Sequence, residues 1–349
     1  MNTVNERGRR SAILLGSAGI LLVLFLASLT FGRYSVPLPD VIKILWHRLW
    51  TLTGLNRILP MAATWTDAME KTVISIRLPR ILMACMVGCS LAAAGATFQG
   101  VFRNPMASPD ILGASSGAAF GAALAILLGV SARFIMVFAF VGSILTVALV
   151  FLIAQRAPGL RAVNLILAGI MVGSLFSAGT SYLKLVADPS NQLPAITYWL
   201  MGSLSGVRLS SVLPAAIPMA IGLVPLLLLR WRLNLLGLGE SEAHALGVDT
   251  DLLRAVLILC ATLITAASIS VSGVIGWVGL VIPHLCRKLI GGDNRGLLPC
   301  SMLVGASFLL LVDDVSRNLL ATEIPIGILT AVIGAPFFIY LLLRKEKTL

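Results

Sequence analysis

Recurrent apolar runs constrain this chain more than any other feature of it. A helix of about 20 apolar residues crosses a bilayer core, and runs of that order recur from one end of the sequence to the other. We read them at 11–31, from Arg77 to Phe102, and at about 111–128, 133–154 and 162–183. A sixth ends at Arg230, and four more lie at about 252–270, 272–284, 297–316 and 325–343. Backbone polar groups in lipid must be satisfied within their own segment, so each run is expected to be helical. The expected fold is all-α: one polytopic membrane domain over 1–349 with about ten transmembrane helices, several of them short or broken. Only 12% of the residues are charged, about half the share of a soluble domain.

The interruptions carry the organisation. Residues 32–76 form a mixed loop with an amphipathic piece, Val41 to Leu52, whose Trp46, His47 and Trp50 suit the outer headgroup level. Pro79 fits the first turn of a helix that starts near Arg77, where no backbone donor is lost. Pro105 and Pro109 end the second run at the membrane face, and Pro283 is expected to break the short run 272–284. Arg7, Arg9, Arg10, Arg103, Arg156, Arg161, Arg287, Lys288 and the Arg344–Lys347 cluster fall on one side of a ten-span arrangement. The positive-inside bias then makes both termini cytoplasmic, with the first span retained. The net charge of +11 is accounted for by span ends facing membrane lipid, not by nucleic acid.

Chemistry is sparse. Three histidines, no HExxH, no phosphate-binding lysine loop and no nucleophile elbow leave no catalytic constellation. Cys85, Cys89, Cys260, Cys286 and Cys300 are scattered through apolar segments and read as small buried residues, so no metal and no cofactor is expected. Asp313 and Arg317, four apart on one helix face, are either a local ion pair or an outward docking charge. Gly169, Gly173, Ser174, Ser177 and Gly179 give the fifth run a small-residue face, suited to tight packing or to a pore wall. From Leu233 to Arg254 a polar stretch keeps an apolar side, which fits either a loop folded on its own bundle or a docking element for a soluble partner.

Six stretches then match a known pattern in order: Arg77-Leu-Pro-Arg80, Arg103 to Gly113, Tyr198 to Ser203, the Leu-Gly-Leu-Gly-Glu loop ending at Gly247, Gly276 to His284 with Arg287, and Glu323 to Pro336. Together they closely resemble FecCD-type permeases, the membrane subunits of ABC importers for iron–siderophores, haem and cobalamin. The resemblance covers about residues 70–344. It implies a homodimer or a paralogous pair, two ABC ATPase subunits on the cytoplasmic side that carry out all ATP hydrolysis, and an extracytoplasmic substrate-binding protein. It also implies a bacterial or archaeal inner-membrane location.

The same resemblance assigns residues. Coupling helices at about 235–248 would meet the ATPase through Leu238, Gly239, Glu240, Ala243, Leu246 and Gly247. Arg77 and Arg317 would meet carboxylates of the binding protein. Asn104 and Met106 with Ala162 and Val163 would form the inner gate, although relatives can carry small hydroxyl residues at the last two sites and this chain does not. Gly169, Gly173 and Ser177 with Ile328, Ala331 and Gly334 would wall the translocation path. An ion-coupled secondary transporter is the alternative of a different class. It would fit the broken eighth run but lacks the intramembrane acids such a carrier needs.

Overall fold

The computed structural model describes residues 2–53, 64–159, 161–237, 245 and 247–343. Among them every regular element is helical. In chain order these are α1 (Asn2–Thr30), α2 (Leu38–Leu52), α3 (Asp67–Glu70), α4 (Leu78–Val101), α5 (Ala114–Leu127), α6 (Ala132–Arg156), α7 (Arg161–Val186), α8 (Gln192–Leu200), α9 (Leu209–Leu229), α10 (Thr250–Ser272), α11 (Val278–Ile290), α12 (Asn294–Asn318) and α13 (Ile326–Leu343). Seven helical stretches are long and apolar enough to cross a membrane: α1, α3 with α4, α6, α7, α9, α10 and α12. The runs that become α5, α11 and α13 are shorter. At 1.5 Å per residue, the 13 residues of α11 span only about 20 Å.

Helix α4 forms the centre of the bundle. Of its most apolar window, 78% is buried, against 17% for α1. Such an axis requires neighbours to approach closely, and glycines permit it. Gly88 of α4 faces Gly305 of α12, where a methyl group on the first would lie 2.3 Å from the carbonyl oxygen of the second. Gly117 of α5 and Gly142 of α6 cross in the same way. Several hydroxyls inside the bundle turn back on their own helix: Thr265 Oγ1 donates to Ala261 O at 2.7 Å and Ser268 Oγ to Ile264 O at 2.7 Å. No hydroxyl donor of this pair is left bare in an apolar setting.

Two boundaries differ from the sequence reading. The helix expected to start near Arg77 begins at Asp67, where Thr66 caps it by accepting from Met69 N. Pro79 therefore sits inside a 35-residue helical stretch. The intervening Lys71–Arg77 turn is a π-helix, and Leu78 N–H reaches back to Val73 O. The widened turn makes room for a proline that lacks its own donor.

The second correction concerns the eighth run. Pro283 lies within α11, and the break comes earlier, at residues 273–277. Gly273 (φ 68°) and Trp277 (φ 69°) adopt left-handed conformations there. Other segments of the protein pack at this break: Ser203 N donates to Ser272 O, at its α10 edge, at 2.7 Å, and Ile326 N ties the start of α13 to Gly202 O, beside Ser203, at 2.8 Å. Irregular backbone at membrane depth is tolerated when it is enclosed in protein in this way.

Candidate functional site

At the end of the bundle that carries the N-terminus, the chain leaves α9 through a 3₁₀ turn, Arg232–Gly237. The turn is held at several points. Leu233 and Leu236 are buried, and Leu233 covers Gly100, where any side chain would meet it. Arg103, with its own backbone at φ 50°, donates from Nε to Leu236 O at 2.6 Å. Asn234 donates to Asp293 Oδ1 at 2.8 Å, and its own oxygen accepts the backbone and side-chain N–H groups of Asn294, both at 2.9 Å. Asp293 also pairs with Arg10. Burial works against the Asp293 charge, but the Arg295 N–H, the Asn234 amide and Arg10 outweigh it and hold the carboxyl below the usual carboxylate range. On the far side of the elbow, Gly247 turns the chain at φ 75° and Asp249 caps α10 by accepting from Asp251 N and Leu252 N.

The elbow is therefore fixed at both flanks, to α4 and α12 before it and to α10 after it. Leu238, Gly239, Glu240, Ala243 and Leu246 lie outside the described residues. Of the residues expected at the coupling helices, Gly247 alone among those named is described. The holding contacts made by Gly100, Arg103, Asn234, Asp293 and Asn294 were not read from the sequence, because each joins segments far apart in the chain. The Asx-type pairing of Asp249 with the start of a helix was the one signal available there.

Near the same end, Asn104 Oδ1 accepts from Met106 N at 2.9 Å and fixes the turn after α4. Asn104 and Met106 are exposed, as is Val163 at the start of α7, and Ala162 is half-buried. The residues expected to wall a path divide into two groups. Gly169 is buried against the turn before α5, where a methyl group would lie 2.1 Å from Ile111 O, and Gly173 is buried beside Gly113. Gly334 is covered by the Trp277 ring. All three are buried within this chain. Ser177 and Ile328 are exposed and Ala331 is half-buried. The open face of α7 is instead made by larger side chains, among them Leu167, Met171 and Leu175.

The opposite end holds a closed charge network. Arg80 donates from Nε to Asp313 at 2.9 and 3.2 Å and from Nη1 to both Glu323 oxygens at 2.9 Å. Arg317 lies 3.3 Å from Asp313, donates to Ser28 Oγ at 2.8 Å and pairs with Asp314. Arg77 donates to Leu29 O at 2.7 Å, Thr30 O at 3.1 Å and Tyr34 O. It thereby places a cation on the carbonyl end of α1, where the helix dipole favours one. Arg77 is only 4% exposed and the Arg317 side chain 11%. In this structure both guanidinium groups point inward. Internal carbonyls and carboxylates already occupy them.

Comparison with known proteins follows the same outline. The model of the FecCD transport family matches residues 20–344. The molybdate import system permease protein MolB of Haemophilus influenzae is 42% identical over 335 residues, covering 96% of each chain. The hemin transport system permease protein HmuU of Yersinia pestis is 39% identical, covering 94% of each. A solved structure of a metal-chelate type ABC transporter in an inward-facing conformation superposes with a TM-score of 0.84 at 41% identity, covering 95% of this chain and 99% of that one.

Proposed function

This chain belongs to the FecCD transport family and is a membrane-spanning permease, and from that premise we propose that it passes an iron–siderophore, haem or a related metal chelate inward as the transmembrane subunit of an ABC importer. Two copies pair, and two ATPase subunits engage the N-terminal face, which is the cytoplasmic one in this reading. All ATP hydrolysis belongs to those partners. A substrate-binding protein docks at the other end, and Arg77 and Arg317 shape that surface from beneath by holding the ends of α1, α4 and α12 together. Asn104, Met106, Ala162 and Val163 form the inner gate. Gly169, Gly173, Ser177, Ile328, Ala331 and Gly334 contribute to the wall of the translocation path.

The observation that supports the coupling role is the two-sided fixing of the elbow. A segment gripped at both flanks hands any displacement to the helices that hold it, which then move as rigid bodies. Leu238, Gly239, Glu240, Ala243, Leu246 and Gly247 are the proposed contact with the ATPase. A second cargo reading, an oxyanion, is favoured by the identity to a molybdate permease, and cobalamin is the third, within the same family.

Proteoliposomes loaded with the cognate ATPase and supplied with the cognate binding protein test the proposal. ATP-dependent uptake of a ferric siderophore, haem or cobalamin is the expected result. Uptake driven by a proton or sodium gradient without ATP would overturn it, and uptake of molybdate alone would move the cargo to the second reading. Asn234→Ala tests the coupling. It removes three hydrogen bonds but leaves the proposed ATPase contact intact. ATPase capture should be unchanged while the ATP hydrolysed per molecule transported rises several-fold. An unchanged ratio would show that the elbow's anchorage transmits nothing.

A further inference from the structure

A cavity of about 260 Å³ opens between α1 and α11 at the N-terminal end of the bundle. Four cations line it: Arg9, Arg10, Arg287 and Lys288. Arg10 is matched by Asp293, 2.5 Å away. Arg287 is half-buried and donates to the neutral oxygen of Gln99 at 3.1 Å. Arg9 and Lys288 are exposed, and neither has an acidic partner within ion-pair distance among the described residues. Three positive charges are thus gathered around one cavity without compensation, an arrangement that an anion relieves.

The position of the cavity identifies the anion. Arg9 and Arg10 immediately precede the apolar run at 11–31, which places them at the boundary between headgroups and acyl chains. Ile13 forms the inner wall. Farther along the flank that carries Arg9, α1 presents Ile20 and Val23, each more than half exposed. A cationic cradle at headgroup depth, continued by a bare apolar flank, matches a phosphate ester joined to hydrocarbon. We propose that this cavity binds the headgroup of an anionic phospholipid, whose acyl chains lie along α1. Basic pockets between membrane helices are suited to such headgroups, at about 1 kcal/mol per cation. The proposal requires only that the chain spans a membrane, so it stands apart from the choice of cargo and from the ATPase.

Native mass spectrometry of the full chain tests it, with phosphatidylglycerol and phosphatidylcholine of identical acyl chains as probes and inorganic phosphate as a free-anion control. The variant is Arg9→Gln with Lys288→Gln, which leaves the Arg10–Asp293 pair in place. Arg156→Gln with Arg230→Gln removes the same charge from other helices at the same end. The wild-type chain should retain one phosphatidylglycerol in preference to phosphatidylcholine. The Arg9/Lys288 variant should hold it about thirtyfold more weakly, which is about 2 kcal/mol for two cations. The Arg156/Arg230 variant should hold it as the wild type does. If the Arg9/Lys288 variant does not fold, Arg9→Gln alone should weaken retention by about fivefold. Equal retention of the two lipids, retention by the Arg9/Lys288 variant within about twofold of wild type, or equal loss in the Arg156/Arg230 variant would each overturn the site. Displacement of the lipid by millimolar phosphate would reassign it to a free anion and so overturn the lipid proposal.

Discussion

Asp313→Ala is expected to destabilise the folded bundle by about 3–5 kcal/mol, the range for removing one partner of a buried ion pair. Asp313 is 0% exposed and serves two arginines at once, Arg80 at 2.9 Å and Arg317 at 3.3 Å. Deleting the carboxylate takes from both cations, in a low-dielectric setting, the one partner they share. Glu323 then remains to Arg80 and Asp314 to Arg317, so each keeps a single carboxylate. Asp313→Asn keeps a hydrogen-bond acceptor but not the charge and should fall between wild type and Asp313→Ala. Combining Asp313→Ala with Arg80→Leu should recover part of the loss, because an apolar replacement removes one of the stranded charges. Unfolding in mixed micelles measures all four proteins. A loss below about 1 kcal/mol for Asp313→Ala would mean that the network behaves as a solvated surface pair.

That network marks where sequence reading stops. The apolar runs disclosed the helices directly, because lipid demands length and hydrophobicity whatever the tertiary arrangement. The amphipathic piece from Val41 to Leu52 is legible for the same reason and forms α2. What a lone sequence does not disclose is which charges meet. Arg80 and Asp313 are separated by 233 positions, and a charge at a span end reads the same whether it faces solvent or a carboxylate from another helix. Arg77 and Arg317, expected to meet the binding protein, make internal contacts that their sequence positions do not announce. Glycines carry a similar ambiguity. A small-residue face permits either a wall or a close contact, and only the position of Ile111 beside Gly169 decides for contact. Pro79 misled as a boundary because a π-turn accommodates it, and Pro283 because it lies inside α11 while the break comes before that helix. At the elbow, the apolar side announced that Leu233 and Leu236 pack on something. The asparagine and arginine contacts that grip it required the fold.

Gly95→Ala is expected to be the most damaging single-methyl change in the chain, and Gly173→Ala one of the mildest. At Gly95 the added carbon would lie 1.8 Å from Gly279 O, 2.5 Å from its carbonyl carbon and 2.6 Å from its Cα. All three are backbone atoms, so no side-chain rotation relieves the overlap. Helix α11 would have to move away from α4 as a unit. Gly279 is itself tightly placed, since a methyl group added there would lie 2.8 Å from Pro109 Cδ and 2.9 Å from Leu91 O of α4. Overpacking ordinarily costs about 1–3 kcal/mol, and a clash confined to backbone belongs at or above the top of that range. At Gly173 the methyl group would rest 3.5 Å from Gly113 Cα and 3.6 Å from Ser116 Oγ, ordinary contact distances. Helix propensity there favours alanine by up to about 1 kcal/mol, so that variant should keep or slightly raise its thermal midpoint. The yield of monodisperse protein and its unfolding midpoint distinguish the two. Similar behaviour of both variants would mean that α11 slides freely on α4. A freely sliding α11 could not transmit motion, whereas the end of α10 at its junction with α11 is tied through Ser272 O to Ser203 N in the loop before α9, and that loop is tied through Gly202 O to Ile326 N at the start of α13. The close crossing at Gly95 makes α4, α11 and that junction move together, so loss of transport in a Gly95→Ala protein that still folds would locate the rigid part of the coupling at this contact.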